Sequence, residues 1–319
     1  MRPAAGAAKP SGADAPRPAS EGRCRASGDA RQMTKYVSVE GIARRYPGAT
    51  IFEDLWFDVK RGEFVCLVGH SGCGKTTVLN ILAGLEAPSE GGVIVDGAEI
   101  TGPSLDRAVI FQGHALMPWM TAEQNVAFAL SCRHPSWPKA KLREEARKAL
   151  EKVGLGHAAE KKPAQLSGGM KQRVGIARAL AIAPKMLLMD EPFSALDALT
   201  RGALQDEVSR LVTEADQTAF MITHDVDEAI LLADRILLMT NGPDARLAEV
   251  VVNTLPRPRT RATLHHMDGY HALRDHILDF LITRSRTLAG KRPEGWDPKV
   301  VPEVRPAASQ NPPPPRAAA

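Results

Sequence analysis

The stretch EFVCLVGHSGCGKTTVLNILAGL, residues 63–85, constrains this chain more than any other. An apolar run of strand length, Phe64–Val68, leads into a glycine-rich turn, and apolar residues at helical spacing follow. The turn matches G-x-x-x-x-G-K-[ST] through Gly69, Gly74, Lys75 and Thr76. Glycines let the backbone curl so that successive N–H groups face a phosphate. The lysine reaches the β- and γ-phosphates, and the threonine hydroxyl is a Mg²⁺ ligand. The pattern alone arises by chance, but the strand before it and the helix after it supply the context this chemistry requires. A nucleoside triphosphate is expected here, with Gly69, His70, Ser71, Gly72, Cys73, Gly74, Lys75, Thr76 and Thr77 around its phosphates.

Further strand-like runs end in polar residues. KMLLMDEP places Asp190 and Glu191 after an apolar strand, and TAFMITHD places His224 after another. Such runs alternating with helical patterns predict an α/β fold, with polar residues beyond the strand carboxyl ends where ligands bind. Asp190 is expected to hold Mg²⁺ through water, and Glu191 to polarise an attacking water as general base. From 113 to 165 the pattern is mostly helical, as in AKLREEARKALEKVGL, and reads as an inserted helical subdomain.

Composition narrows the function classes. The net charge of +4 is mild, and no basic stripe with interleaved aromatics points to nucleic acid. The four cysteines, Cys24, Cys66, Cys73 and Cys132, lack CxxC spacing, which fits a reducing compartment without a disulfide frame or zinc site. The longest apolar runs are too short to cross a bilayer, and the first thirty residues lack the apolar core of a secretory signal. Residues 1–32 read as a disordered tail, or as a product of a start placed upstream of Met33. Residues 290–319, ending in NPPPPRAAA, read as a disordered Pro/Ala-rich tail.

LSGGMKQR, Leu166–Arg173, poses a question. Its Ser-Gly-Gly before a helical pattern looks like a second anion-binding turn in a chain that already has one. With these motifs in order from Tyr36 to Asn241, the chain resembles the ATP-binding subunit of an ABC transporter, and LSGGMKQR resembles that family's signature. The resemblance implies a phosphate-loop NTPase core with an antiparallel β subdomain and an inserted helical subdomain, together spanning 33–255. It also answers the question. Two such subunits pair head to tail, so that Ser167, Gly168 and Gly169 of one close over the ATP held by the other. Tyr46 resembles the aromatic that stacks on adenine, and Gln112 the Q-loop glutamine on Mg²⁺ and the attacking water. Asp197 resembles the D-loop aspartate that crosses the dimer interface, and His224 the switch histidine on the γ-phosphate. Met170 stands where glutamine is commoner, as in the nitrate, sulfonate and taurine branch.

The implied partners are an integral-membrane permease, a second ATPase subunit and, indirectly, an extracytoplasmic solute-binding protein. The implied location is the cytoplasmic face of a bacterial inner membrane. Leu116, Met117, Trp119 and Met120 are expected at the permease groove. Two stretches resemble the importer branch: ALMPWMTAEQNVAFAL, and PRPRTRATLHHMDGYHALRDHILDFLITRS. The second is similar to the closing segment of nitrate, nitrite and cyanate importer ATPases, so nitrate or nitrite is the expected cargo and a sulfonate or taurine the alternative. A soluble ABC ATPase acting on DNA or ribosomes is a further class, but one phosphate loop and a compact insert argue against it. The extension 256–289 contains an amphipathic helix with Leu273, Ile277, Phe280 and Leu281 on one face, expected to pack onto the domain. Its histidines, His265, His266, His271 and His276, lack the spacing of a metal site.

Overall fold

A computed structural model describes residues 35–306, apart from 195, 291, 293 and 294. The tail expected over 1–32 and the alternative start at Met33 lie outside the described residues.

The chain enters through a hairpin of β1 (Lys35–Tyr46) and β2 (Ala49–Lys60). Its turn is Pro47-Gly48: proline presets one backbone angle and Gly48 supplies a φ of +85°. Strand β3 (Phe64–Val68) then leaves for a second sheet and feeds helix α1 (Lys75–Ala83). Strands β4 (Glu90–Val95) and β5 (Ala98–Glu99) return to the hairpin, giving an antiparallel sheet ordered β2-β1-β4-β5.

Strand β6 (Arg107–Ile110) is followed by α2 (Ala122–Arg133) and α3 (Lys139–Lys152), which pack on α4 (Gly168–Ala181). Thr121 opens α2 with a capping box, accepting from the Gln124 N–H while the Gln124 side chain accepts from the Thr121 N–H. Glu123, almost fully buried, is held by Arg143 and Arg147 of α3. That charge pairing ties the two helices.

Next come β7 (Met186–Asp190), α5 (Ala198–Glu214), β8 (Thr218–Ile222), α6 (Val226–Leu232), β9 (Arg235–Met239) and β10 (Leu247–Val252). The second sheet is ordered β10-β9-β3-β8-β7-β6; β6, β7, β8, β3 and β9 run parallel, and β10 is antiparallel to β9. Every residue of β3, β7, β8 and β9 is buried, as parallel strands covered on both faces must be. One face packs against the antiparallel sheet through Val37, Ile42, Phe52, Leu67, Leu188 and Phe220. The other packs under the helices through Val126, Leu150, Val174, Met189, Phe193 and Leu231.

After β10 come α7 (Arg261–Leu264), α8 (Tyr270–Asp279) and a π-turn, Phe280–Arg284. Tyr270, Leu273, Ile277 and Phe280 are buried in the helical-side core, and Leu281 is half-buried against it.

The region read as an unstructured tail from 290 differs. Strand β11 (Glu303–Val304) pairs in parallel with Val250 and Val251 at the sheet edge. Trp296 stacks with Arg246 and Arg292, and Val301 leans on the core. The prolines dominated the compositional reading. The open backbone edge of β10 and the apolar Trp296 and Val301 outweigh them. The last stretch, 307–319, lies outside the described residues.

Candidate active site

Four neighbouring strands of the parallel sheet, β3, β8, β7 and β6, deliver the site at their carboxyl ends. From β3 comes the phosphate loop. Gly72 and Gly74 take φ of +83° and +93°, which side chains avoid. A Cβ on Gly74 would lie 2.6 Å from Ile51 and 2.7 Å from Phe52, so the loop is also packed too tightly for one. Because Gly74 caps α1, no side chain satisfies the first N–H groups of the helix, and its first turn carries no acid. Lys75, Thr76 and Thr77 thus present open N–H donors and the positive end of the helix dipole to an anion.

The Lys75 ammonium, nearly buried, donates to the Gly69 and His70 carbonyls, both at 2.8 Å. Thr76 donates to Asp190 Oδ2 at 3.0 Å. Burial raises the Asp190 carboxyl above its ordinary range, and the neighbouring Glu191 charge adds to this, against the Thr76 hydrogen bond and Lys75. The His70 side chain donates to the Leu281 carbonyl at 2.7 Å. Cys73 is buried beneath the loop, and burial pushes its thiol up.

Glu191 follows Asp190 in a left-handed conformation, φ +45°, that a glutamate rarely adopts. Its N–H donates to the Ile222 carbonyl, pinning the end of β7 to β8. The result aims the carboxylate at two side chains from neighbouring strands. Gln112 Nε2 donates to Glu191 Oε2 at 3.1 Å, and His224 Nδ1 lies 3.2 Å from the same oxygen. Gln112, Glu191 and His224 are therefore one cluster.

The remaining expected residues are placed apart from it. Tyr46, at the end of β1, is half exposed, with Arg44 over its ring and its hydroxyl on Glu86. Ser167 caps α4, its hydroxyl accepting from the Met170 N–H at 3.3 Å. Gly168 is exposed and Gly169 half-buried, with Leu196 and Thr200 as the neighbours of Gly169. Among the described residues no hydrogen bond or ion pair joins Ser167–Gly169 to the phosphate loop of the same chain. Asp197 is exposed and caps α5; that bond to the Thr200 N–H holds its carboxyl below the ordinary range. Trp119 is 69% exposed, while Leu116 packs against the core and Met117 and Met120 are half-buried.

Residues that sequence reasoning missed support these loops. Asn125, fully buried, donates to the Met117, Met120 and Thr121 carbonyls and accepts from the Met117 N–H. His114 bonds Gln172 and Arg178 donates to the Ala115 carbonyl, holding the turn after Gln112 onto α4. Glu228 accepts from Thr223, the residue before His224, and from Gln205 at 2.7 Å. Asn125 stands within the stretch ALMPWMTAEQNVAFAL, but its three carbonyl partners were not legible there.

The nitrate transport protein NasD of Klebsiella oxytoca is 50% identical to this chain over 254 residues, 78% of this chain and 97% of that protein. The chain belongs to the ABC transporter family of ATP-binding subunits. The profile described as ABC transporter matches residues 52–194. The bicarbonate transport ATP-binding protein CmpC of Synechococcus elongatus is 48% identical over 259 residues, 80% of this chain but 39% of that longer protein. Among solved structures, the dimeric post-hydrolysis state of the ATP-binding cassette MJ0796 bound to ADP and Pi matches with a TM-score of 0.63 and 30% identity. It covers 68% of this chain and 98% of that one. This ABC subunit is an ATP hydrolase of an importer. No helix among its described residues is long and apolar enough to cross a membrane.

Proposed function

We propose that this ABC subunit powers the uptake of nitrate or nitrite. The observation that carries this reading is its identity to the nitrate transport protein of Klebsiella oxytoca over nearly the whole of that protein. The similarity to CmpC favours bicarbonate, another small planar oxyanion, as the second reading.

In hydrolysis, the N–H groups of Lys75, Thr76 and Thr77 and the Lys75 ammonium hold the β- and γ-phosphates. To reach them Lys75 exchanges carbonyl partners for phosphate oxygens. Glu191 takes the proton of the attacking water while the bond from the γ-phosphorus to the β-phosphate oxygen breaks. Gln112 and His224 both hold Oε2, so Oε1 is the oxygen that faces the water. His224 also contacts the γ-phosphate, and Tyr46 stacks on adenine. Thr76, Asp190 and the Gln112 amide oxygen are hard donors suited to Mg²⁺, which prefers one or two protein oxygens beside phosphates. When bound, Mg²⁺ neutralises charge developing on the phosphates.

Ser167, Gly168 and Gly169 act on the nucleotide of a second subunit. Their separation from their own chain's phosphate loop supports a head-to-tail pair, as does the likeness to a dimeric cassette. Asp197 lies at the seam. The exposed Trp119 and Phe128 mark the surface for an integral-membrane permease. A solute-binding protein outside the cell acts through that permease. The subunit then sits peripherally on the cytoplasmic face of the inner membrane.

Uptake of labelled nitrate, bicarbonate and taurine by cells carrying this chain or its Glu191→Gln form tests the cargo. Collapse of nitrate uptake alone is expected. Collapse of bicarbonate or taurine uptake with nitrate intact overturns the nitrate reading and leaves the ATPase in place.

A further inference from the structure

The segment after β10 touches the ATP site at two separate places. At one end, the π-turn Phe280–Arg284 loosens the helical ladder, and the Leu281 carbonyl accepts from the Ser285 hydroxyl at 2.9 Å and from His70 at 2.7 Å. His70 lies within the phosphate loop. The loop Asn241–Asp244 buttresses the same spot: Gly242 packs against Gly72 and Cys73, and the Asn241 N–H reaches the Ser285 carbonyl at 3.5 Å.

At the other end, Tyr270 donates to Asp227 at 2.7 Å and Arg274 to the same oxygen at 2.8 Å. Asp227 lies in the first turn of α6, immediately after His224 and its loop. Arg261 reaches the same loop through a chain of bonds. It donates to Gln205 at 3.1 Å, Gln205 donates to Glu228, and Glu228 accepts from Thr223.

Between these ends Tyr270, Leu273, Ile277 and Phe280 are buried, so the helix cannot shift without opening the core. From Tyr270 to Leu281 it spans about 17 Å. Burial of the apolar face fixes the helix to that surface. The polar contacts tie its two ends, and both fall beside groups read as handling the γ-phosphate.

We propose that Arg261–Ser285 is a strap that fixes the phosphate loop relative to the switch-histidine helix, with His70, Asp227, Tyr270 and Arg274 as positioning residues for ATP hydrolysis. The proposal rests on the reading of Lys75 and His224 as parts of one site. The strap touches no substrate. It sets the distance between the loop that grips the phosphates and the helix that follows His224.

Steady-state ATPase assays on the full chain test it. His70→Ala cuts one end, and Tyr270→Phe with Arg274→Ala cuts the other. Each is expected to lower kcat/KM about tenfold, and all three substitutions together about tenfold as well, because a strap cut once no longer couples its ends. His70→Gln, which keeps a donor at similar reach, is expected to restore most of the loss. Losses that multiply to about a hundredfold overturn the proposal, as does an unchanged kcat/KM in either cut or a loss that only tracks the melting temperature. Should His70→Ala not fold, Tyr270→Phe with Arg274→Ala decides on its own kcat/KM and melting temperature. A wild-type chain that hydrolyses no ATP refutes the underlying site reading instead.

Discussion

His224 Nδ1 and Glu191 Oε2 lie 3.2 Å apart, although they come from the ends of different strands. Parallel pairing of β7 with β8 brings them there, and the left-handed backbone of Glu191 turns the carboxylate toward the imidazole. A side chain in that conformation is held against its own preference, which is a cost met where function requires it. Gln112 meets the same oxygen from β6. The three groups meet at one carboxylate oxygen, and the proposed mechanism leaves the other to a water.

Glu191→Gln removes the proposed base while keeping the size and one acceptor. Turnover is expected to fall at least about a hundredfold, with ATP affinity nearly unchanged. Single-turnover hydrolysis beside equilibrium binding of labelled ATP checks it.

His224→Ala frees Glu191 Oε2 from one partner and removes the proposed γ-phosphate contact. A loss of about tenfold to a hundredfold in kcat is expected, with a much smaller change in KM, since the contact strengthens in the transition state. A change confined to KM would place His224 in ground-state binding alone.

Gly74→Ala brings a methyl within 3 Å of both Ile51 and Phe52 and asks alanine to hold a φ of +93°. Calorimetry is expected to show a loss of roughly 2 kcal/mol or more, and ATP binding should weaken with it.

Glu228 gives a pH signature. Its burial raises the carboxyl above the ordinary 4.5, against the Thr223 and Gln205 hydrogen bonds that lower it. The folded chain therefore holds this proton more tightly than the unfolded one. The resulting stabilisation is fully present below 4.5 and is lost as pH rises through the raised native value. Glu228→Gln stays neutral throughout, so the wild type should lose melting temperature relative to the variant as pH rises above 4.5 and through the raised native value. A gap that stays constant or moves the other way contradicts this.

The phosphate loop and the Asp190–Glu191 pair were legible because their chemistry needs particular residue types in short contiguous runs beside an apolar strand. The parallel sheet was legible for a related reason: strands buried on both faces read as unbroken apolar stretches. The contacts of the closing segment were not legible. His70 meets a backbone carbonyl, which every residue carries, and Asp227 and Tyr270 are far apart in the chain. The strand Glu303–Val304 was hidden by the prolines around it, since its partner is the open edge of β10 and not a pattern of its own. Ser167–Gly169 reads in sequence as an anion-binding turn, and only the family resemblance supplies a second subunit as its proposed target.

That trans arrangement is the centre of the account, and mixing two crippled subunits tests it most directly. Lys75→Ala destroys the phosphate loop and spares the signature, while Ser167→Arg does the reverse. Each alone is expected to lack ATPase activity. Mixed in equal amounts, half the dimers pair one of each, and each such dimer contains one site with an intact loop facing an intact signature. Activity is then expected to reappear at up to about a quarter of the wild-type rate. Two variants that stay silent when mixed, or a Ser167→Arg subunit that is fully active alone, would contradict it.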